Sequence, residues 1–575
     1  MFHKHFQSEL AYLRQLGREF AAAHPNTAGM LSERSSDPDV ERLLEGFAFL
    51  TAKLRARVEA SAPELIHGLA DLLAPHYLRP IPATSIAQFT AHKLSRERVR
   101  IPAGTELGSV PVHGTSCLFR TTTAVDLLPL ELLQATSETL GARHGALQLQ
   151  FRMDPAGKAS VFHPGGLRLF LHGPLPSASL VLLWLLRHCR GIAVQAEGAA
   201  SAIRLPPDSI THAGLRSPLL PWPSAGPPGP RLVLEYFTLP EHLLFVDLMG
   251  LDRAADAAAE RFTITFELED PPRLPARLAT DAVRLHCAPV INLFPGTAEP
   301  IRVDPLISES LLRPAELPAR HASVFAVTSV TGVQRGRAER RRYQSFADHG
   351  HDPRSAFYQL HRVRSPLDDA LDTYLRVDTP QDTSPLPAEE TLSVELTCTN
   401  RALPAELGVG DIRVPTASSP TGVRFTNVTP VSKPVDPPLD GELHWRLLAQ
   451  LSLGQRSRTS AETVRASLAL YNLHAETDLQ QSRVNQARVD SIRSVESGEI
   501  TRMLAGCPVR GVQVRVSVDD ARLGGAGDAF LLGCVLDEWL ATSVAVNAFT
   551  QLTLLLHPSG ASYTWPARGG DRPIV

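Results

Sequence analysis

Apolar residues near the start of the chain recur in three- and four-residue steps, and Phe6, Leu10, Leu13, Leu16 and Phe20 draw a single stripe. That is the period of an amphipathic helix, which Pro25 brings to an end. Asp37-Pro38 announces a second helix: Asp37 can accept a backbone N–H as cap, and Pro38 fills a first-turn position whose N–H is unpaired anyway. Leu43, Leu44, Phe47, Leu50, Leu54 and Val58 predict its buried face. Ser61-Ala62-Pro63-Glu64 has capping-box spacing and predicts a third helix from Pro63 to Leu73.

From Pro80 the period changes. Pro80, Pro82, Pro102, Gly104, Gly108, Pro111 and Gly114 separate short apolar runs, the pattern of strands and tight turns. Leu167 to Leu171 reads as a strand, and Ala178 to His188 as a buried helix. Eight prolines between residues 206 and 230 predict a semi-extended insertion or linker that cannot join a central strand. Thr379 to Pro387 and Lys433 to Leu439 are two further proline-rich breaks.

Near the C-terminus Thr459-Ser460-Ala461-Glu462 predicts a capped helix running to about Leu473. Val512, Val514, Val516 and Val518 alternate with polar residues as a half-buried strand. Phe530 to Asn547 then reads as a helix and Gln551 to His557 as a strand. The expected fold class is α+β and multi-domain: an N-terminal helical bundle, β-rich domains and a C-terminal α+β module. The expected divisions are 1–80 (helical), 81–280 (β-rich α+β, with the insertion at 206–230), 281–440 (β-rich) and 441–575 (α+β).

Composition adds exclusions. The net charge is -3, so nothing in the overall balance attracts a polyanion. There are 47 prolines in 575 residues, above the usual ~5%, which argues against an all-helical chain. The six cysteines lie far apart with no C-x-x-C pair, which favours a reducing compartment. Leu180 to Leu186, the strongest apolar run, is far shorter than the roughly 20 residues that span a bilayer, and the first residues lack the apolar run of an export signal. The expected location is the cytoplasm.

The search for chemistry yields weak candidates. Gly408-Val409-Gly410 and Gly525-Ala526-Gly527 lack the spacing and the lysine of a phosphate loop, and read as ordinary turns. Gly114-Thr115-Ser116-Cys117-Leu118 lacks the closing glycine of a nucleophile elbow and reads as a turn into a strand. His3, His5, His349, His351 and Asp352 have no second ligand pair nearby. Asp368-Asp369 and Asp519-Asp520 are adjacent in sequence, which does not place two carboxylates around one substrate. No catalytic, cofactor-binding or metal-binding residue is assigned. The basic run from Arg335 through Arg340, Arg341 and Arg342 reads as a solvated loop or a protein contact.

Three long strings carry a family resemblance: F-x-x-E-L-x-Y-L-R-x-L-G from Phe6, D-P-D-V-E-R-L-L-E-G-F-A-F-L from Asp37 to Leu50, and L-x-P-H-Y-L-R-P-I-P from Leu73 to Pro82. With Cys287 to Phe294, Ala298 to Ile301, Ser491 to Val495 and Phe530 to Thr550, the chain resembles the TssF family, baseplate subunits of type VI secretion systems. Ile101 to Thr105 with Phe119-Arg120-Thr121 is also similar to contractile phage wedge proteins.

The resemblance implies a non-enzymatic assembly protein of the baseplate wedge that supports sheath and tube assembly for effector delivery. It implies two TssF copies embracing one TssG, contacts with TssK, TssE and the VgrG hub, no cofactor, and a baseplate docked near the inner membrane. Alternatives from other classes are a phage-tail-derived hydrolase and a polyanion-binding adaptor. Candidate partner-binding residues are Phe6, Leu13, Phe20, Phe47 and Phe49 on the helical stripe, with Tyr77 and Arg79 at the exit from the bundle.

Overall fold

Thr84–Ala91 is an inner strand of a six-stranded sheet whose order is Ile412–Val414, Glu106–Val112, Thr115–Thr121, Cys287–Ile291, Thr84–Ala91 and Val423–Asn427. The strands come from three distant parts of the chain. Ser85 Oγ donates to the Thr429 carbonyl 344 residues away, and Phe89, Leu107 and Phe119 form a fully buried core beneath. This computed structural model describes most of residues 78–569 and, before them, only short helical stretches within 6–19 and at 42–52. Residues 92–96, 222–227, 335–339, 347–355, 366–369, 379–389 and 450–459 are among those outside the described set, as is the expected helix Pro63 to Leu73.

Two smaller sheets follow. The first runs Ile203–Leu205, Cys189–Ala196, Arg261–Glu269, His144–Met153 and Leu130–Leu140; the second runs Ile210–His212, Phe245–Leu248, Leu167–Leu171 and Val283–Leu285. In Arg261–Glu269 the alternation is strict, so Phe262, Ile264, Phe266 and Leu268 all point into the core. Leu175–Leu183 is the expected buried helix, continued by a wider turn over Trp184–His188. It buries Leu180, Val181, Leu182 and Leu183, a face too broad for a surface helix.

The proline-rich stretch is not a linker. Pro207 opens a 3-10 turn over Pro207–Ser209, Ile210–His212 is an edge strand, and Pro228–Thr238 is a helix with Pro228 and Pro230 in its first turn. Glu235 lies fully buried on that helix. Its Oε1 accepts the N–H groups of Leu219 and Leu220 at 2.8 and 2.9 Å, and its Oε2 sits 3.2 Å from His242 Nε2. The prolines thus stiffen a segment that is fastened to the core at both ends.

The C-terminal strands run Ile492–Leu504, Cys507–Asp519, Phe549–His557 and Ser562–Thr564. Cys507–Asp519 and Phe549–His557 are parallel, which requires a crossover, and the helix Ala526–Ala541 supplies it. It begins four residues before the predicted Phe530, because Gly525 turns the chain at φ +100° and Gly527 fits inside the helix. A Cβ on Gly527 would sit 2.5 Å from the Leu180 Cα, so the crossover helix lies directly on Leu175–Leu183. It ends at Ala541, where Thr542 Oγ1 donates to the Trp539 carbonyl, rather than at Asn547. Residues from both sheets, both inner helices and this module form one continuous core that includes Leu149, Leu182, Tyr236, Phe530 and Trp539. Ser460, accepting the Thr463 N–H at 3.2 Å, caps the helix Ala461–Ala469, so the cap falls one residue after the predicted one and the helix stops short of Leu473.

A further sheet is eight-stranded, with its main path Phe294–Thr297, Glu390–Thr399, Ser323–Gln334, Arg340–Ser345, Phe357–Arg364, Leu371–Asp378 and Ser310–Leu311. Arg340–Arg342 therefore belong to a strand, not a loop, because Arg341 turns inward toward the buried Glu390 carboxylate 3.6 Å away. Gly332 makes this possible, since a Cβ there would overlap that carboxylate.

Asn292 links this sheet to the six-stranded one. Its Nδ2 donates to the Leu118 carbonyl and to Asn400 Oδ1, both at 2.8 Å, and its Oδ1 accepts the Asn400 N–H at 2.7 Å. Asn292→Ala leaves the buried Asn400 N–H without its partner and removes one donor each from the Leu118 carbonyl and from Asn400 Oδ1, which keeps the Leu118 N–H at 3.0 Å, so a loss of about 1–3 kcal/mol is expected as a lower urea midpoint with unchanged slope. An unchanged midpoint would show that water replaces the side chain.

Candidate interaction surfaces

The sequence's weak chemical candidates resolve into packing devices. Gly525 and Gly527 cap and seat the crossover helix, and His113 and Gly114, both at positive φ, turn a hairpin into Thr115–Thr121. Asp519 is held by Arg493 at 2.6 Å and Arg522 at 3.5 Å, and the Arg493 hydrogen bond keeps its carboxyl below the usual range. Cys117, Cys189, Cys287, Cys398 and Cys534 are buried thiols, and burial pushes Cys117 and Cys189 up to about 11. None is activated as a nucleophile. His3, His5, His349, His351, Asp352, Asp368 and Asp369 lie outside the described residues; among the described ones, no three His, Cys, Asp or Glu side chains form a metal-holding group. No described helix is long and apolar enough to cross a membrane.

What the described N-terminal helices do present is apolar surface. Across residues 42–52 the large side chains point outward: Leu43 is 73% exposed, Phe47 59% and Leu50 60%. Ala48 and Ala52 are the buried positions. This reverses the expected burial of Leu43, Phe47 and Leu50, because the small-residue face is the one covered within the chain. Spaced i, i+4 and i+7, the three large residues form one stripe. On the first helix Tyr12 and Leu16 are exposed, at 59% and 42%, whereas Phe6 and Leu13 are half-buried.

Of the other candidate residues, Phe49 is 46% exposed, and Arg79 is half-buried between the buried Leu78 and Pro80. Phe20 and Tyr77 lie outside the described residues. Sequence reasoning passed over Tyr12, put Leu16 on the stripe without choosing it as a contact, and placed Leu43 and Leu50 inside. The one available signal was the alanine pair Ala48 and Ala52, whose i, i+4 spacing marks a second face suited to close packing.

An exposed apolar stripe on a described N-terminal helix, in a chain whose sheets share an extensive core, is the pattern expected of an assembly subunit. The family model described as type VI secretion system, TssF, matches residues 1–572, and the chain belongs to the TssF family. It is 28% identical over 630 aligned positions, spanning 99% of both chains, to the type VI secretion system component TssF1 of Pseudomonas aeruginosa. Its fold matches a chain in the cryo-electron microscopy structure of the type VI secretion system TssK-TssF-TssG baseplate subcomplex, with TM-score 0.79 and 31% identity, covering 93% of this chain and 99% of that one. It also matches a chain of the baseplate complex from the type VI secretion system, with TM-score 0.62 and 27% identity over the whole of both chains. Like these relatives, it is a baseplate subunit.

Proposed function

We propose that this chain works by shape, joining TssG and TssK in a baseplate wedge and making or breaking no covalent bonds. The uncovered stripe Leu43, Phe47 and Leu50 carries the reading, since three large apolar side chains in a row are costly to leave in water. The two solved relatives support it, because both are assemblies in which the matching chain sits in a baseplate. The partner-facing set comprises Phe6, Leu13, Phe20, Phe47, Phe49, Tyr77 and Arg79, joined by Leu43 and Leu50. Two copies embrace one TssG, TssE and the VgrG hub lie alongside, and the wedge stands at the cytoplasmic side of the inner membrane.

The test is co-expression with TssG and TssK, followed by affinity purification and native mass measurement. Leu43→Asp combined with Phe47→Asp is expected to abolish recovery of the complex, because a desolvated carboxylate inside an apolar seam costs several kcal/mol or about a hundredfold in affinity at the least. Circular dichroism should remain that of the parent chain, since both positions are exposed. Full recovery of the complex would overturn the proposed seam.

A further inference from the structure

The arginine strand has two faces, and only one is used within the chain. Along Arg340–Ser345 the alternation is clean: Arg341, Tyr343 and Ser345 face inward, while Arg340, Arg342 and Gln344 are exposed, and Phe346 just beyond continues the outer face at 53% exposed. Inside, Arg341 answers Glu390, and the buried Tyr343 lies beside the same carboxylate. Outside, Arg340 and Arg342 form no ion pair among the described residues. Their cross-strand neighbours are Val333, 40% exposed, opposite Arg340, and Thr331 opposite Arg342. One strand further, Thr391 and Ser393 pair with Val333 and Thr331; of the carboxylates on this face, Glu395 is already engaged by Ser329 Oγ at 2.8 Å, and Asp378 lies two strands away on the opposite side, across from Phe357.

Two like charges two residues apart on one strand face lie roughly 7 Å from each other, and they repel. Among the described residues no carboxylate pairs with either of them. Arginine and phenylalanine are residue types enriched at the centres of protein interfaces. We propose that the face formed by Arg340, Arg342, Phe346 and Val333 docks an extended acidic segment of a protein partner. Carboxylates two residues apart on that segment meet the two guanidinium groups, and an apolar side chain next to them covers Phe346.

A protein strand fits better than a phosphate polymer, for reasons of number. Two cations release few counterions, whereas polyanion binders neutralise on the order of six to ten phosphates, and the chain's net charge of -3 adds no attracting field. This inference rests on reading the chain as an assembly subunit.

The experiment uses the full chain co-expressed with the neighbouring baseplate subunits, comparing the parent, Arg340→Glu/Arg342→Glu and Arg340→Lys/Arg342→Lys. Both substituted positions are exposed and Arg341 is kept, so melting temperatures should match; Arg340→Ala/Arg342→Ala replaces the reversal should it fail to fold. Expected is a roughly tenfold or greater loss of at least one subunit from the reversed variant at 100 mM salt, with partial retention by the lysine pair. The parent should lose the same subunit as salt is raised. Equal retention by parent and reversed variant overturns the docking face while leaving the baseplate assignment intact. Arginine-dependent capture by heparin or by phosphatidylglycerol vesicles, with assembly unaffected, overturns it in favour of a polyanion. A parent chain that binds no baseplate subunit defeats the assembly reading itself.

Discussion

Acidification from pH 7 to pH 4 is expected to cost the folded chain several kcal/mol, because three histidines are held neutral by their surroundings. His286 Nε2 accepts the Leu128 N–H at 3.1 Å, a bond that a proton on that nitrogen would abolish. His212 donates through Nε2 to the Leu243 carbonyl at 2.6 Å, leaving a buried Nδ1 without a partner. His474 is 2% exposed, and its Nδ1 is likewise unpaired. Burial pushes all three from 6.5 down to about 4.

In this window the unfolded chain takes up protons that the folded chain refuses, so stability rises with pH. The contribution is complete above about pH 6.5 and gone near pH 4. At about 1.4 kcal/mol per unit, each site is worth on the order of 3 kcal/mol. Glu241, Asp537 and Glu538 oppose the trend, since burial raises them and their protonation favours the folded state as pH falls. Taken by themselves, the three histidine contributions are comparable to a domain's whole stability of ~5–15 kcal/mol. Urea midpoints at pH 7.5, 6, 5 and 4 should fall steeply, and His212→Gln should flatten part of the slope. A midpoint that stays level down to pH 4.5 would contradict the neutral assignment.

Gly527→Val is expected to separate the crossover helix Ala526–Ala541 from Leu175–Leu183. The nearest atoms to a Cβ at this site are backbone atoms of Leu180 and Ser179, which cannot rotate away as a side chain can. Relief requires moving a whole helix. Near the helix's other end Gly229 is also in close approach, where a Cβ would lie 2.7 Å from the Trp539 Cα, so the crossover helix is held by a second neighbour as well. Overpacking costs ~1–3 kcal/mol in ordinary cores, and the upper end or beyond applies where backbone meets backbone. The expected result is a fall in melting temperature of several degrees for Gly527→Ala, and for Gly527→Val an insoluble chain or one with two separated transitions. A single unshifted transition in Gly527→Val would mean that the helices are not in contact in solution.

Much of this architecture was legible wherever period and burial agree. Val514, Val516 and Val518 are buried as their alternation predicts, although Val512 at the strand's start is exposed, and Leu180 to Leu185 is an unbroken apolar run because the helix there is enclosed. The proline-rich stretch misled because composition reports stiffness without reporting burial. The partner that buries it, Glu235, is a charged residue that reads as surface until the N–H groups of Leu219 and Leu220 are found upon it. The arginine strand misled in the same way: Arg341 points inward only because Glu390, about fifty positions later, waits beneath it. Leu43, Phe47 and Leu50 were placed on a buried face since apolar periodicity shows that a face is covered but not by which chain. The family strings, in contrast, pointed to the TssF family before any coordinate was known.

The mixed origin of the six-stranded sheet sets a timetable for biosynthesis. Thr84–Ala91 leaves the ribosome early, yet its outer neighbour Val423–Asn427 and the Thr429 carbonyl that holds Ser85 are translated some 344 residues later. At ~5–20 residues per second that is a wait on the order of tens of seconds, during which a nascent strand rich in buried positions stands with an open margin. Newly made chains should therefore depend on holding chaperones until about three-quarters of the polypeptide has emerged, and a premature stop anywhere before that point yields a product with no means of sealing its first sheet.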